Sequence, residues 1–231
     1  MTEASAPSVR QAPSGRSVLI CSLLSVLLVV AGVMVGIAAT PSAGTPATGS
    51  AEAGFARDMQ LHHGQAVELS SIIRERTDDP AIRLIAQDIT LTQQAEIGRM
   101  YGWLEAWGLP QASADPAMAW LNRPPLAGGT HQGMSDDAAM PAAAMPAAEG
   151  MMPGMASAED IARLTALTGT EAEVLFLQLM IEHHRGGVEM AEALLERSDN
   201  PIVTPLARSI VTFQSAAITD MQAMLNQRLG Q

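Results

Sequence analysis

MIEHHRGGVEM, from Met180 to Met190, and MQLHHGQAVEL, from Met59 to Leu69, are two versions of one pattern. In each, a Met is followed three and four residues later by a pair of histidines. On an α-helix those spacings share a face, so each copy projects one thioether and two imidazoles from neighbouring positions. The two stretches hold four of the chain's five histidines.

The pattern belongs to a longer repeat. His183 stands 121 positions after His62, and the same offset pairs Phe55 with Phe176, Met59 with Met180 and Glu68 with Glu189. It continues downstream through Pro80 and Pro201, Ala86 and Ala207, Gln93 and Gln214, Met100 and Met221, and Leu104 and Leu225. An internal duplication of this kind frames every later reading. A unit of about fifty residues is too small to bury much core alone, so the two units are expected to pack together as one domain.

The periodicity inside each unit is helical. Phe55, Met59, His62, Ala66, Leu69 and Ile73 form one stripe, and Phe176, Met180, His183, Gly187, Met190 and Leu194 form its counterpart. TDDP (Thr77–Pro80) and SDNP (Ser198–Pro201) read as a stop followed by a start, with Asp78 or Asp79 capping and Pro80 in the first turn. A second helix then follows in each unit, from about Pro80 to Trp107 and from about Pro201 to Leu229. Ser157 with Asp160, and Thr170 with Glu173, carry capping-box spacing. The expected architecture is all-α: a four-helix, ferritin-like bundle of two duplicated helix pairs, with its ligand site on the facing helices.

Outside the repeat the chain is simpler. Residues 1–16 read as a cytoplasmic tail, with Arg10 and Arg16 its only basic residues. Residues 17–39 carry no charge, and at about 1.5 Å per residue they can cross the roughly 30 Å hydrocarbon layer. The positive flank on their N-terminal side predicts that the rest of the chain is delivered outside the cytoplasm. The segment is read as a transmembrane signal anchor or a long signal peptide cut near Ala39 or Ala43, and its length favours the anchor. Residues 40–52 are a flexible spacer, 53–108 the first helical hairpin, 109–156 a linker rich in Met, Pro and Ala, and 157–231 the second hairpin. From Thr130 to Ala156 the linker holds His131 and six methionines, and its prolines work against a continuous helix, so little fixed structure is expected there.

Composition narrows the function. The 231 residues carry a formal net charge of −11, which argues against nucleic acid, since phosphate binding needs a basic face. Cys21 is the one cysteine, which leaves no intramolecular disulfide and no Cys-rich metal site. No nucleophile triad, phosphate loop or nucleotide fingerprint is present, so a binding protein is expected and not an enzyme.

Thioether is a soft ligand and imidazole a borderline one. Together, without thiolates, they suit copper, particularly Cu(I). The candidate ligands are Met59, His62, His63, Met180, His183 and His184, with Met100 and Met221 on the second helix of each unit. Gln93 and Gln214 are candidates to orient a His ring from behind. The Met-rich linker suits transient capture of copper ions. Glu68 and Glu189 lie off the His face and are expected in solvent or paired with Arg. Di-iron chemistry would need Glu-x-x-His pairs, and Met stands where that Glu should be.

FARDMQLHHGQAVELS, FLQLMIEHHRGGVEMAEALL, QQAEIGRMYGWL and SAEDIARLTALTG resemble the domain-of-unknown-function family numbered 305. The resemblance covers about Ala53–Gly108 and Ser157–Gly230. It implies a ferritin-like helical, exported protein, copper-binding in some members, and points to Met59, His62, His63, Met180, His183, His184 and Met190. The copies differ where Leu69 faces Met190 and where Glu96 faces Ala217, so the two halves are not expected to bind alike.

Two functions are expected to compete. One is an extracytoplasmic, membrane-tethered protein that sequesters copper or hands it on, with a second copper-handling protein or a copy of itself as further partner. The other is a non-enzymatic structural or interaction bundle whose His pairs are core residues.

Overall fold

Three of the helices start where a side chain satisfies their free amides. Ser50 accepts from the amide of Ala53 and opens α1, Ala51–Arg76. Asp79 accepts from the amides of Ala81 and Ile82 and opens α2, Pro80–Ala106, with Pro80 in the first turn. Ser157 and Asp160 cap each other reciprocally at α3, Ala158–Ala166. Then come α4, Gly169–Leu195, and α5, Thr204–Leu229, with Pro205 in the first turn of α5. In this computed structural model residues 24–32, 44–126 and 152–230 are described, and no strand occurs among them.

The chain divides into two units, Met1–Ala43 and Gly44–Gln231. In the first, residues 24–32 are helical; the rest of the segment 17–39 lies outside the described residues. Among the described residues no helix is long and apolar enough to cross a membrane.

In the second unit α1 packs on α2 and α4 on α5, so each repeat is a helical hairpin. The hairpins join through α1 and α4, while α3 lies against α1. The second helices, α2 and α5, do not pack extensively on each other and flank a groove. Two apolar clusters fill the two ends. One gathers Phe55, Met59, Met100, Leu104, Met190 and Leu194. The other gathers Leu69, Ile73, Ile82, Phe176, Met180 and Met221. The same stretch of α1 feeds the first cluster near its start and the second near its end, and α4 does the reverse. The two helices therefore run antiparallel, and both His pairs fall at the waist between the clusters.

Two sequence expectations are corrected here. Glu173 does not close a capping box at α4, whose N-cap residue Thr168 makes no side-chain bond. Glu173 is buried, accepts from Thr77 Oγ1 at 2.5 Å and from Arg228 Nε at 2.6 Å, and so ties the α1–α2 turn to the last turn of α5. Charge-assisted partners from other elements outweigh a local cap. The described ends of the linker are also packed. Trp120, in a short 3₁₀ turn at Ala119–Asn122, is buried edge-on against Phe55 and donates to Asp58 Oδ2 at 2.9 Å. At the other end Met152 joins the first cluster. Residues 127–151, with His131 and four of the linker methionines, lie outside the described residues.

Candidate metal centre

The waist is built from two helices of equal pattern. Met59 and Met180 sit one turn before the imidazoles, on the same faces, and both are fully buried. His62, His63 and His183 are fully buried and His184 is 3% exposed. The His62 and His183 rings lie nearly face to face across the α1–α4 contact, with centroids 3.8 Å apart and planes 34° apart. His63 and His184 flank them, each 6.3 Å from its neighbour in sequence. Met100 and Met190 are buried in the cluster containing Met59, and Met221 in the one containing Met180. The sequence-predicted residues thus collect at one waist and in the two apolar clusters bordering it.

Three of the four Nε2 atoms have acceptor partners. His183 Nε2 donates to the carbonyl of His62 at 2.9 Å. His62 Nε2 donates to the carbonyl of Pro153 at 3.0 Å. His63 Nε2 donates to Glu96 Oε2 at 2.7 Å. A carbonyl or carboxylate can only accept, so these partners place the ring hydrogen on Nε2. The lone pair is then on Nδ1. All four Nδ1 atoms are buried without a partner. A metal-ligating histidine shows the same division of labour, one nitrogen held by a carbonyl or carboxylate and the other left free for the ion.

Electrostatics keep His62, His183 and His184 unprotonated near neutral pH. Burial, reinforced by neighbouring imidazoles, lowers the pKa of His62 to about 3. Burial and the charge of His63 lower that of His184 to about 4. Burial and the three other rings hold His183 well below the usual histidine value. Neutral imidazole is the ligand form. Among the described residues no three His, Cys, Asp or Glu side chains are already arranged as a cage around one point.

The residue that orients His63 was missed by the sequence reading. Gln93 and Gln214 were expected to do this. Their Oε1 atoms are buried and make no hydrogen bond, and neither holds a ring. Glu96, one turn beyond Gln93, holds His63 instead. The signal lay in the substitution of Ala217 for Glu96 in the second copy, which leaves His184 without that carboxylate.

A five-residue strap completes the site. Residues 152–156 cross the α1–α4 contact, and Gln65 clamps their end, donating Nε2 to the carbonyl of Ala156 at 2.9 Å and accepting from its amide at 2.7 Å. On the other side the strap lies directly on α4. A Cβ at Gly186 would stand 2.0 Å from the carbonyl oxygen of Pro153, and one at Gly154 would stand 2.2 Å from that of Glu182. The pseudo-twofold mate of the His183–His62 carbonyl bond would run from His62 to the carbonyl of His183. His62 bonds Pro153 instead, so the strap replaces one half of a symmetric pair.

A duplicated helical hairpin with a buried histidine layer at its waist is the class of protein that these features define. Residues 52–225 match the domain of unknown function DUF305, and the chain belongs to that family. It is similar to a DUF305 protein of Streptomyces coelicolor, at 43% identity and a TM-score of 0.65, over 79% of this chain and 96% of that one. It is similar to a DUF305 fragment from Deinococcus radiodurans, at 31% identity and a TM-score of 0.58, over 77% and 96%. It is also similar to CopM in its Cu(II)-bound form, at 25% identity and a TM-score of 0.54, over 77% and 97%. Among curated proteins none matches the chain.

Proposed function

We propose that this protein binds copper as cargo at the histidine waist, sequestering it or handing it on, without turnover. The carrying observation is the free Nδ1 on four buried imidazoles, three of which have Nε2 anchored on an acceptor. His62, His63, His183 and His184 supply nitrogen, and Met59, Met180, Met190, Met100 and Met221 supply buried sulfur within the bordering clusters. Imidazole with thioether favours Cu(I). A structural relative crystallised with Cu(II) supports the same metal. Delivery outside the cytoplasm, on a membrane tether, is part of this reading and rests on the uncharged run 17–39. The Met-rich linker would capture ions on the way, and a further copper-handling protein or a second copy would receive them.

The test is a Cu(I) titration of the full chain against a competing chelator, beside a variant with all four paired histidines changed to Ala. Wild type should hold Cu(I) at least a hundredfold more tightly. Equal, weak binding by both proteins would end the proposal. One observation favours the rival reading: the bonds from His62 to Pro153 and from His183 to His62 also knit the interface. A purely structural role predicts that the variant loses stability and that neither protein retains metal.

A further inference from the structure

The four rings of the waist are not equally enclosed. Nε2 of His62, His63 and His183 each donates to a carbonyl or carboxylate. Nε2 of His184 makes no hydrogen bond. It is also the one unpartnered ring nitrogen of the four that is not sealed from solvent, since the unpartnered Nδ1 atoms are all fully buried. The residue as a whole is only 3% exposed, so the opening at this nitrogen is narrow.

That nitrogen belongs to the open side of the site. His184 lines a groove of about 300 Å³ between α2 and α5. On a helix of 3.6 residues per turn it points roughly opposite to Glu182 and Gly186, the positions under the strap. The strap side is closed: backbone lies on backbone at Gly154 and Gly186, and Gln65 fastens the end. The two apolar clusters close the ends of the waist.

The repeat explains why one ring alone is bare. Glu96 lines the groove, and its Oε2 is taken by His63 Nε2. Its equivalent at the 121-residue offset is Ala217, which lines the same groove and offers no acceptor. His63 therefore has its outer nitrogen covered by a carboxylate, and His184 does not. With no acceptor fixing its tautomer, neutral His184 can carry its proton on Nδ1 and turn the Nε2 lone pair towards the groove. From there the buried layer is one ring away. The centroid of His183 is 6.3 Å from that of His184, and His183 faces His62 at 3.8 Å. Asp88 and Asp220 line the groove and no Lys or Arg does, so its field admits a cation more readily than an anion.

We propose that this groove is the exchange mouth of the waist, and that His184 Nε2 is the first donor met by an incoming soft monovalent ion and the last to release it. This rests on the copper reading and adds a route to it. Ions pass by ligand exchange on one imidazole, while the carboxylate-held His63 and the strap-held His62 keep their places. A ligand that takes the ion away must reach it from the α2–α5 side.

The test uses the full chain with Ag(I) as the soft monovalent probe. Ala217→Leu fills the groove without adding charge or removing a donor. It should slow both the uptake of Ag(I) and its release into excess thiosulfate by about tenfold or more, with their ratio, the affinity, within about threefold of wild type. Gln65→Ala frees the strap and should leave both rates within about twofold. Rates unchanged by Ala217→Leu would overturn the proposal. So would a larger effect from Gln65→Ala, which would put the path beneath the strap. Diethyl pyrocarbonate, which acylates accessible neutral imidazole, gives a reading without metal. Mass spectrometry should find His184 labelled before His62, His63 and His183, and His184 reacting no faster than these three would overturn the proposal. This arm decides the matter should Ala217→Leu fold poorly by circular dichroism. Wild type that holds no Ag(I) would end the copper reading and this inference with it. Ag(I) held, but exchanged at rates indifferent to Ala217→Leu, would end this inference alone.

Discussion

The two repeats share a scaffold and differ at the few positions that make the site. Gln65 and Gly186 are equivalent by the 121-residue offset. Gln65 grips the strap with its amide, and Gly186 makes room for it by having no side chain. Ala66 and Gly187 are equivalent too, and at Gly187 a Cβ would meet Gln214 Oε1 at 2.4 Å. Glu96 anchors His63, while Ala217 leaves the matching space open beside His184. Met190 adds a thioether to the first cluster, while Leu69 gives the second only carbon. Duplication supplies two crossing helices with matched imidazoles, and divergence at facing positions turns that symmetric contact into a site with one closed and one open side.

Acid gives the largest expected break in this arrangement. His62, His183 and His184 are held below the value of about 6.5 that they have when unfolded, so between about 6.5 and 4 the unfolded chain binds more protons. Their contribution is complete above about pH 6.5 and is lost as pH falls towards the folded values. At pH 5 each ring costs about 2 kcal/mol relative to neutral pH. Urea unfolding of metal-free protein at pH 7 and pH 5 measures this, and a flat profile would mean that the waist is wetter than described. Two of the three rings belong to the second repeat, so acid should open that hairpin first in hydrogen exchange.

Next in size is the exchange of one repeat's residue into the other. Gly186→Gln forces a side chain into the backbone of Pro153 and should destabilise by about 3 kcal/mol, read as a lower urea midpoint. Gln65→Gly only removes the clamp and should cost about 1–2 kcal/mol. Equal effects at the two positions would contradict their opposite roles. Glu96→Ala leaves His63 Nε2 buried without its acceptor, at about 1–3 kcal/mol in stability and about tenfold or more in metal affinity. The smallest change is Leu69→Met, which makes the two copies alike at that position. It should alter stability by less than about 1.5 kcal/mol, and Ag(I) titration would show whether the added sulfur is used.

Much of this fold was legible because it is local and periodic. Phe55 and Phe176, Met59 and Met180, and the two His pairs announce the same helix twice, and all are buried. Asp79 and the Ser157–Asp160 pair cap as their spacing requires. The misses are non-local. Glu173 has cap spacing, but its partners Thr77 and Arg228 come from two other elements. The peptide 152–156 reads as spacer because Pro, Gly and Met carry no periodicity. Its holding residues, Gln65 and Gly186, lie far away on separate helices. Trp120 likewise sits in a stretch read as linker and is placed by Phe55 and Asp58. Helical spacing can say which residues share a face; it is silent on which distant backbone will cover that face.

The Gln65 grip on Ala156 also bears on how the chain assembles. Ala156 directly precedes the capping residue of α3, so the grip is available before any of α4 is needed. A nascent chain that has completed α1 and α2 already presents the acceptor and donor that catch this peptide. The remaining helices then begin their search pinned at one point, which shortens the effective loop that the second hairpin must close. The strap thereby acts as a register pin, selecting the alignment in which His183 meets His62 over one slipped by a helical turn.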